Sequence, residues 1–118
     1  MQYANVLAGR VGQDVQLRHT SKNLPVCDVS VAEDRPVKKG EQWDNETVWH
    51  RFTAWGRVAE RAAHLLRSGS LVLFHFRIDY TKKSVKNKDG FYDENVPRLV
   101  MTGFTGLSNY GKGANAPP

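Results

Sequence analysis

The chain has 118 residues, enough for one domain and hardly a second, and its 17 Lys and Arg against 12 Asp and Glu give a formal charge of +5. Its longest unbroken aliphatic or aromatic run is Leu71-Val72-Leu73-Phe74, far short of the ~20 residues of a membrane-spanning helix. Cys27 is the single cysteine, which excludes a disulfide framework, and the opening residues lack the pattern of a secretory signal, pointing to a cytoplasmic protein with no membrane partner.

In chain order, Tyr3 to Val11 reads as a short apolar strand with Gly9 at a bulge or sharp bend. Cys27, Val29 and Val31 alternate with Asp28 and Ser30, the period of a strand with one buried face. Asp34 to Asn45, with Pro36, Gly40 and two lysines, reads as a polar loop. Thr47 to Trp55 returns to strand composition. Arg57 to Arg67 then places Val58, Ala59, Ala62, Ala63, Leu65 and Leu66 at helical spacing, with Gly69 as its stop. Ser70 to Tyr80 is a β-branched and aromatic strand, and Asp89-Gly90 marks the turn of a basic hairpin arm from Tyr80 to about Val96. A last strand runs from about Arg98 to Leu107.

Strands with a single helix between the third and fourth predict an all-β OB-fold, a five-stranded Greek-key barrel. The domain is expected over residues 1–107. Residues 108–118, rich in Gly, Asn and Pro, are expected to be a flexible C-terminal tail.

The positive balance draws the protein to polyanions. In Val48-Trp49-His50-Arg51-Phe52-Thr53-Ala54-Trp55, alternation puts Trp49, Arg51, Thr53 and Trp55 on one face and Val48, His50, Phe52 and Ala54 on the other. Two indoles flanking a guanidinium suit unpaired bases, because every base has a π-face to stack and a phosphate to neutralise. A core role for these tryptophans is the competing reading, which the apolar opposite face and Arg51 count against. A second cluster comprises Arg77, Lys82, Lys83, Lys86 and Lys88 near Tyr80, Phe91 and Tyr92. A third combines Arg35, Lys38 and Lys39 with Trp43. The four histidines stand at no metal-ligand spacing, the carboxylates form no paired motif, and no Gly-rich phosphate loop occurs. Neither a metal, a cofactor nor an enzymatic activity is expected, and Cys27 reads as a packed thiol.

These residues resemble the bacterial-type single-stranded DNA-binding protein family. The resemblance covers Asn5 to Leu107 and rests on Asn5-Val6-Leu7-Ala8-Gly9-Arg10-Val11-Gly12-Gln13-Asp14, Val29-Ser30-Val31-Ala32, Trp49-His50-Arg51, Trp55-Gly56-Arg57-Val58-Ala59-Glu60 and Leu66-Arg67-Ser68-Gly69-Ser70, in family order and spacing. It implies a barrel that assembles, as a homotetramer or a dimer, and binds single-stranded DNA without sequence preference in replication, recombination or repair. Trp49 and Trp55 fall on the family's stacking positions, His50 lies near its subunit contacts, and Asn5, Val6 and Leu7 lie where protomers commonly pair. With the resemblance, the expected nucleic-acid-binding set is Trp49, Trp55, Arg51, Tyr80, Lys82, Lys83, Arg77, Arg10, Arg35 and Trp43. Three departures stand out. Lys82-Lys83 replaces a stacking tryptophan, with Tyr80 as substitute; Phe74-His75-Phe76 stands where the family often has Gly; and no acid follows Glu94, so recruitment of other proteins through an acidic tail is not expected. The alternative function is an accessory subunit of a replication-restart or conjugative assembly, acting through protein contacts. The residues do not separate DNA from RNA.

Overall fold

The computed structural model describes residues 5–108. Tyr3, at the expected start of the first strand, and the tail beyond Ser108 lie outside the described residues. The elements are β1 (Asn5–Val11), β2 (Arg18–His19), β3 (Pro25–Lys39), β4 (Gln42–Trp55), α1 (Gly56–Leu65), β5 (Leu71–Asn87) and β6 (Gly90–Ser108). Five long strands carry the architecture, and β2 is a two-residue addition on the outer edge of β3. The single helix falls between β4 and β5, the third and fourth long strands.

The sheet runs β1-β5-β6-β4-β3-β2, and a further pairing of β1 with β3 closes it into the expected barrel. β1 achieves this by changing partner. Asn5 through Arg10 pair with β5, whereas Arg10 and Val11 pair with Ala32 and Val31 of β3. Gly9 sits at that crossing. A Cβ there would lie 2.5 Å from the Val31 side chain and 2.8 Å from the Ala32 carbonyl oxygen, so the close approach of the strands admits only glycine. A parallel contact of Phe52 and Thr53 with Leu99 and Val100 completes the circuit between β4 and β6.

The inward side chains are those alternation assigns: Cys27, Val29 and Val31 from β3, Phe52 and Ala54 from β4, and Val72 and Phe74 from β5. Phe52 stacks on Phe74 with centroids 5.3 Å apart and meets Phe76 at 5.0 Å. The helix buries Ala59 and Ala62 against this core. The Cys27 thiol points at the Ala59 carbonyl oxygen 3.8 Å away, and burial followed by the charge of Asp28 pushes its pKa up to about 11, as fits a packed thiol. The helix is shorter at its end than its sequence pattern suggests. It stops at Leu65, and Arg67 Nη1 donates to the Ala63 and Leu66 carbonyls, while Gly69 serves the turn from Arg67 to Ser70.

The largest difference from expectation lies at residues 34–45, which form no loop. β3 and β4 stay paired from Asp34↔Thr47 to Lys39↔Gln42, and Gly40, at φ +66°, opens the two-residue turn. β5 and β6 likewise pair out to Asn87↔Gly90, with Lys88 and Asp89 at the turn. Two bare hairpin arms therefore leave the barrel. They raise the radius of gyration to 17.2 Å, against about 13–14 Å for a compact chain of this length. The β5–β6 arm is the hairpin that Asp89-Gly90 predicts, whereas the β3–β4 arm left no hydrophobic trace because it is solvated on both faces. The Phe74-His75-Phe76 departure coincides with a register shift in the β5–β6 ladder between His75 and Phe76.

Candidate nucleic-acid interface

Because β4 alternates, the burial of Phe52 and Ala54 turns Trp49, Arg51, Thr53 and Trp55 outward. Trp49 is 60% exposed and Trp55 44%. The edge of the Trp49 indole rests on Gly12, where an added Cβ would meet the ring at 2.6 Å. Gly12 is itself anchored, its N–H donating to the Ser30 carbonyl at 2.8 Å. A glycine thus seats the ring while leaving most of it in solvent.

These residues form one wall of an open groove of about 850 Å³, and Tyr80, Thr81, Pro97 and Arg98 at the root of the β5–β6 arm form the other. On the floor, Asp28 of β3 lies directly opposite Thr53 of β4. Its Oδ2 accepts from Arg51 Nη2 at 2.8 Å and from Arg18 Nη1 at 3.2 Å, and its Oδ1 from the Thr53 hydroxyl at 2.9 Å. Burial acts to raise the Asp28 pKa, but the bonds from Arg51 and Thr53, with the charges of Arg51 and Arg18, outweigh it and hold the carboxyl below its ordinary range. Arg51 remains 75% exposed, with most of its five N–H donors free for a ligand.

Trp49, Trp55, Arg51 and Tyr80 are thus brought together around one groove. The other expected residues are not part of it. Trp43 and Lys38, opposite one another, extend the outward face of the β3–β4 ribbon toward its tip. Arg35 occupies the reverse face, where its Nη2 and the His50 ring both contact Glu33 Oε1, at 2.9 and 2.7 Å. The bond from His50, and then that from Arg35, lowers the Glu33 pKa. Arg77 is exposed but directs Nε at the Asp79 carboxylate. Arg10 donates to the Gly69 carbonyl from the outer side of β1. Lys82 shares an arm face with Tyr80 and Phe91, and Lys83 stands on the reverse.

Folding also changes the charge of both arms. Of the lysines on β5, Lys83 lies opposite Glu94, with Asp93 next to it opposite Ser84, whereas Lys82 faces Asn95 and Lys86 faces Phe91. On the β3–β4 arm, Glu33, Asp34, Glu41, Asp44 and Glu46 outnumber Arg35, Lys38 and Lys39. The positive excess resides on the barrel, largely as arginines. Arg18, Arg98 and Asp28, which line the groove, and Gly12, which seats Trp49, were not among the residues expected from sequence. Only Gly12 had a signal, as the second glycine of Gly9-Arg10-Val11-Gly12.

Among the described residues, no group of His, Cys, Asp and Glu is arranged to hold a metal ion, and no helix is long and apolar enough to cross a membrane.

Comparison with known proteins agrees with the geometry. A family profile described as the single-strand binding protein family matches residues 4–101. Proteins named single-stranded DNA-binding protein from Neisseria meningitidis serogroups A and B are each 34% identical over 103 residues, 83% of this chain and 58% of theirs. One from Treponema pallidum is 36% identical over 67 residues, 57% of this chain and 38% of its own. The chain therefore spans less than two-thirds of the length of these relatives. The crystal structure of the single-stranded DNA-binding protein from Thermus aquaticus superposes with a TM-score of 0.70 at 21% identity, covering 89% of this chain and 50% of that one, a likeness of fold.

Proposed function

The chain belongs to the single-strand binding protein family, and from that premise we propose that it binds single-stranded DNA without sequence preference, in replication, recombination or repair. The observation that carries this reading is the exposure of Trp49 and Trp55 on one strand face, across a groove from Tyr80. Rings at those places stack successive bases, each worth roughly 1–3 kcal/mol, and Arg51, Arg18 and Arg98 meet the phosphates. Nothing in this role calls for catalysis or a cofactor. The same observation favours nucleic acid over the accessory-subunit reading.

In this proposal the protein acts in the cytoplasm as a homo-oligomer, a tetramer or a dimer. Support comes from β1. Residues 5–9 pair with β5 on one edge and have no strand partner on the other among the described residues, and Val6 is half exposed. Leu7 turns toward the core, so the pairing would run through the backbone of Asn5, Val6 and Leu7. His50 sits half-buried in the Glu33 cluster beside them in the expected interface set.

Titration with oligo-dT at two salt concentrations tests the function. Tryptophan emission is expected to be quenched on binding, with log affinity falling against log salt at about 0.7 per phosphate contacted. Unchanged emission at saturating oligo-dT and low salt would remove stacking from the mechanism.

A further inference from the structure

An anion stands on the floor of a groove that has to receive a polyanion. Asp28 is largely covered, its side chain 22% exposed, beneath two guanidiniums that are 58% and 75% exposed. Both guanidiniums converge on a single carboxylate oxygen, while Thr53 holds the other. Its pKa is depressed, so at neutral pH it is ionised. Asp79 also lines the groove, its carboxylate held by Arg77 Nε.

We propose that Asp28 is a built-in counter-anion, occupying Arg18 and Arg51 in the free protein and competing there with the phosphates of the bound strand. This rests on the nucleic-acid reading above. The single carboxylate offsets one of the two guanidinium charges, so fewer phosphates are neutralised, fewer counterions leave the strand, and the groove binds with less salt dependence than its arginines suggest. The covered carboxylate also repels phosphates from the floor and leaves it to bases, with the backbone kept to the rim. Asp28 is in this sense a positioning residue, acting through the guanidiniums it holds.

The test is Asp28→Asn, which preserves shape and removes charge, measured by anisotropy of labelled oligo-dT across a salt series. Affinity is expected to rise about threefold at low salt, from one charge repulsion at about 6 Å in water. The log–log slope should steepen by about 0.7, one phosphate's worth, and the gain should vanish at high salt. Adding Arg18→Gln restores the charge balance and should return the slope to the wild-type value. Thr53→Val removes a hydrogen bond without changing charge and should leave the slope alone. Should Asp28→Asn fail to fold, Asp28→Thr, a β-branched residue opposite Thr53, provides the same charge change. An unchanged slope in Asp28→Asn, or an equal change in Thr53→Val, overturns the proposal in favour of a purely structural role. If the wild-type protein itself fails to bind oligo-dT, the reading of function falls and this inference with it.

Discussion

The groove and the β5–β6 arm are built from the same two ingredients, aromatic rings and cations, but they hold them differently. In the groove the rings stand on a strand whose other face is core, Trp49 is seated on Gly12, and Arg18 and Arg51 are tied to Asp28. On the arm, Lys82, Lys83, Lys86 and Lys88 enter no ion pair among the described residues, and the stretch 80–96 that carries them contains no buried residue. Affinity from the groove should thus be mainly stacking with a weak salt dependence, and affinity from the arm salt-sensitive attraction. Position in the fold, more than residue type, separates the two.

The sharpest way to break this contrast is the double variant Trp49→Ala/Trp55→Ala. It should weaken oligo-dT binding by about 2–4 kcal/mol at every salt concentration, read by anisotropy, with a small shift in the urea midpoint. A loss that disappears at high salt would contradict the assignment of the groove to stacking. Next comes Lys82→Gln/Lys83→Gln, expected to cost about tenfold in affinity at low salt, to cost little at high salt, and to flatten the log–log slope by about 1.4. Gly12→Ala should push the Trp49 ring from its seat and weaken binding by about 1 kcal/mol. Wild-type affinity in that variant would show that the seat is irrelevant.

A smaller effect concerns acid stability. Asp28 and Glu33 both have folded-state pKa values lowered from the ordinary range. The stability they contribute is complete above that range and is lost as pH falls through and below it. Urea midpoints of the wild type and Asp28→Asn should differ at pH 7 and converge as both are acidified; parallel curves would disprove the linkage. Smallest of all is Arg35→Gln. Its partner is Glu33 on the reverse face of the ribbon, so oligo-dT affinity at moderate salt should be unchanged within error. A clear loss would extend the interface around the β3–β4 arm.

The barrel was legible in the sequence wherever burial imposes a period. Cys27, Val29 and Val31, then Phe52 and Ala54, then the alanines of the helix announced their inward faces, and Trp49 and Trp55 followed by parity. The β5–β6 arm was legible through its turn, Asp89-Gly90, but the β3–β4 arm was not, since a strand solvated on both faces carries no hydrophobic alternation. Neither was Asp28, which reads as one polar residue between Cys27 and Val29, nor Arg18, on a two-residue strand with no pattern of its own.

From sequence alone came the fold class, the outward-facing pair Trp49 and Trp55 and the overall positive charge, because each depends on residue identity and on local periodicity. Tertiary structure alone decided how charge is distributed. The β6 acids come to lie beside the β5 lysines, and Asp28 beneath Arg18 and Arg51, only once strands distant in sequence pair. Electrostatic interaction depends on distance in space, which the linear order of residues does not contain.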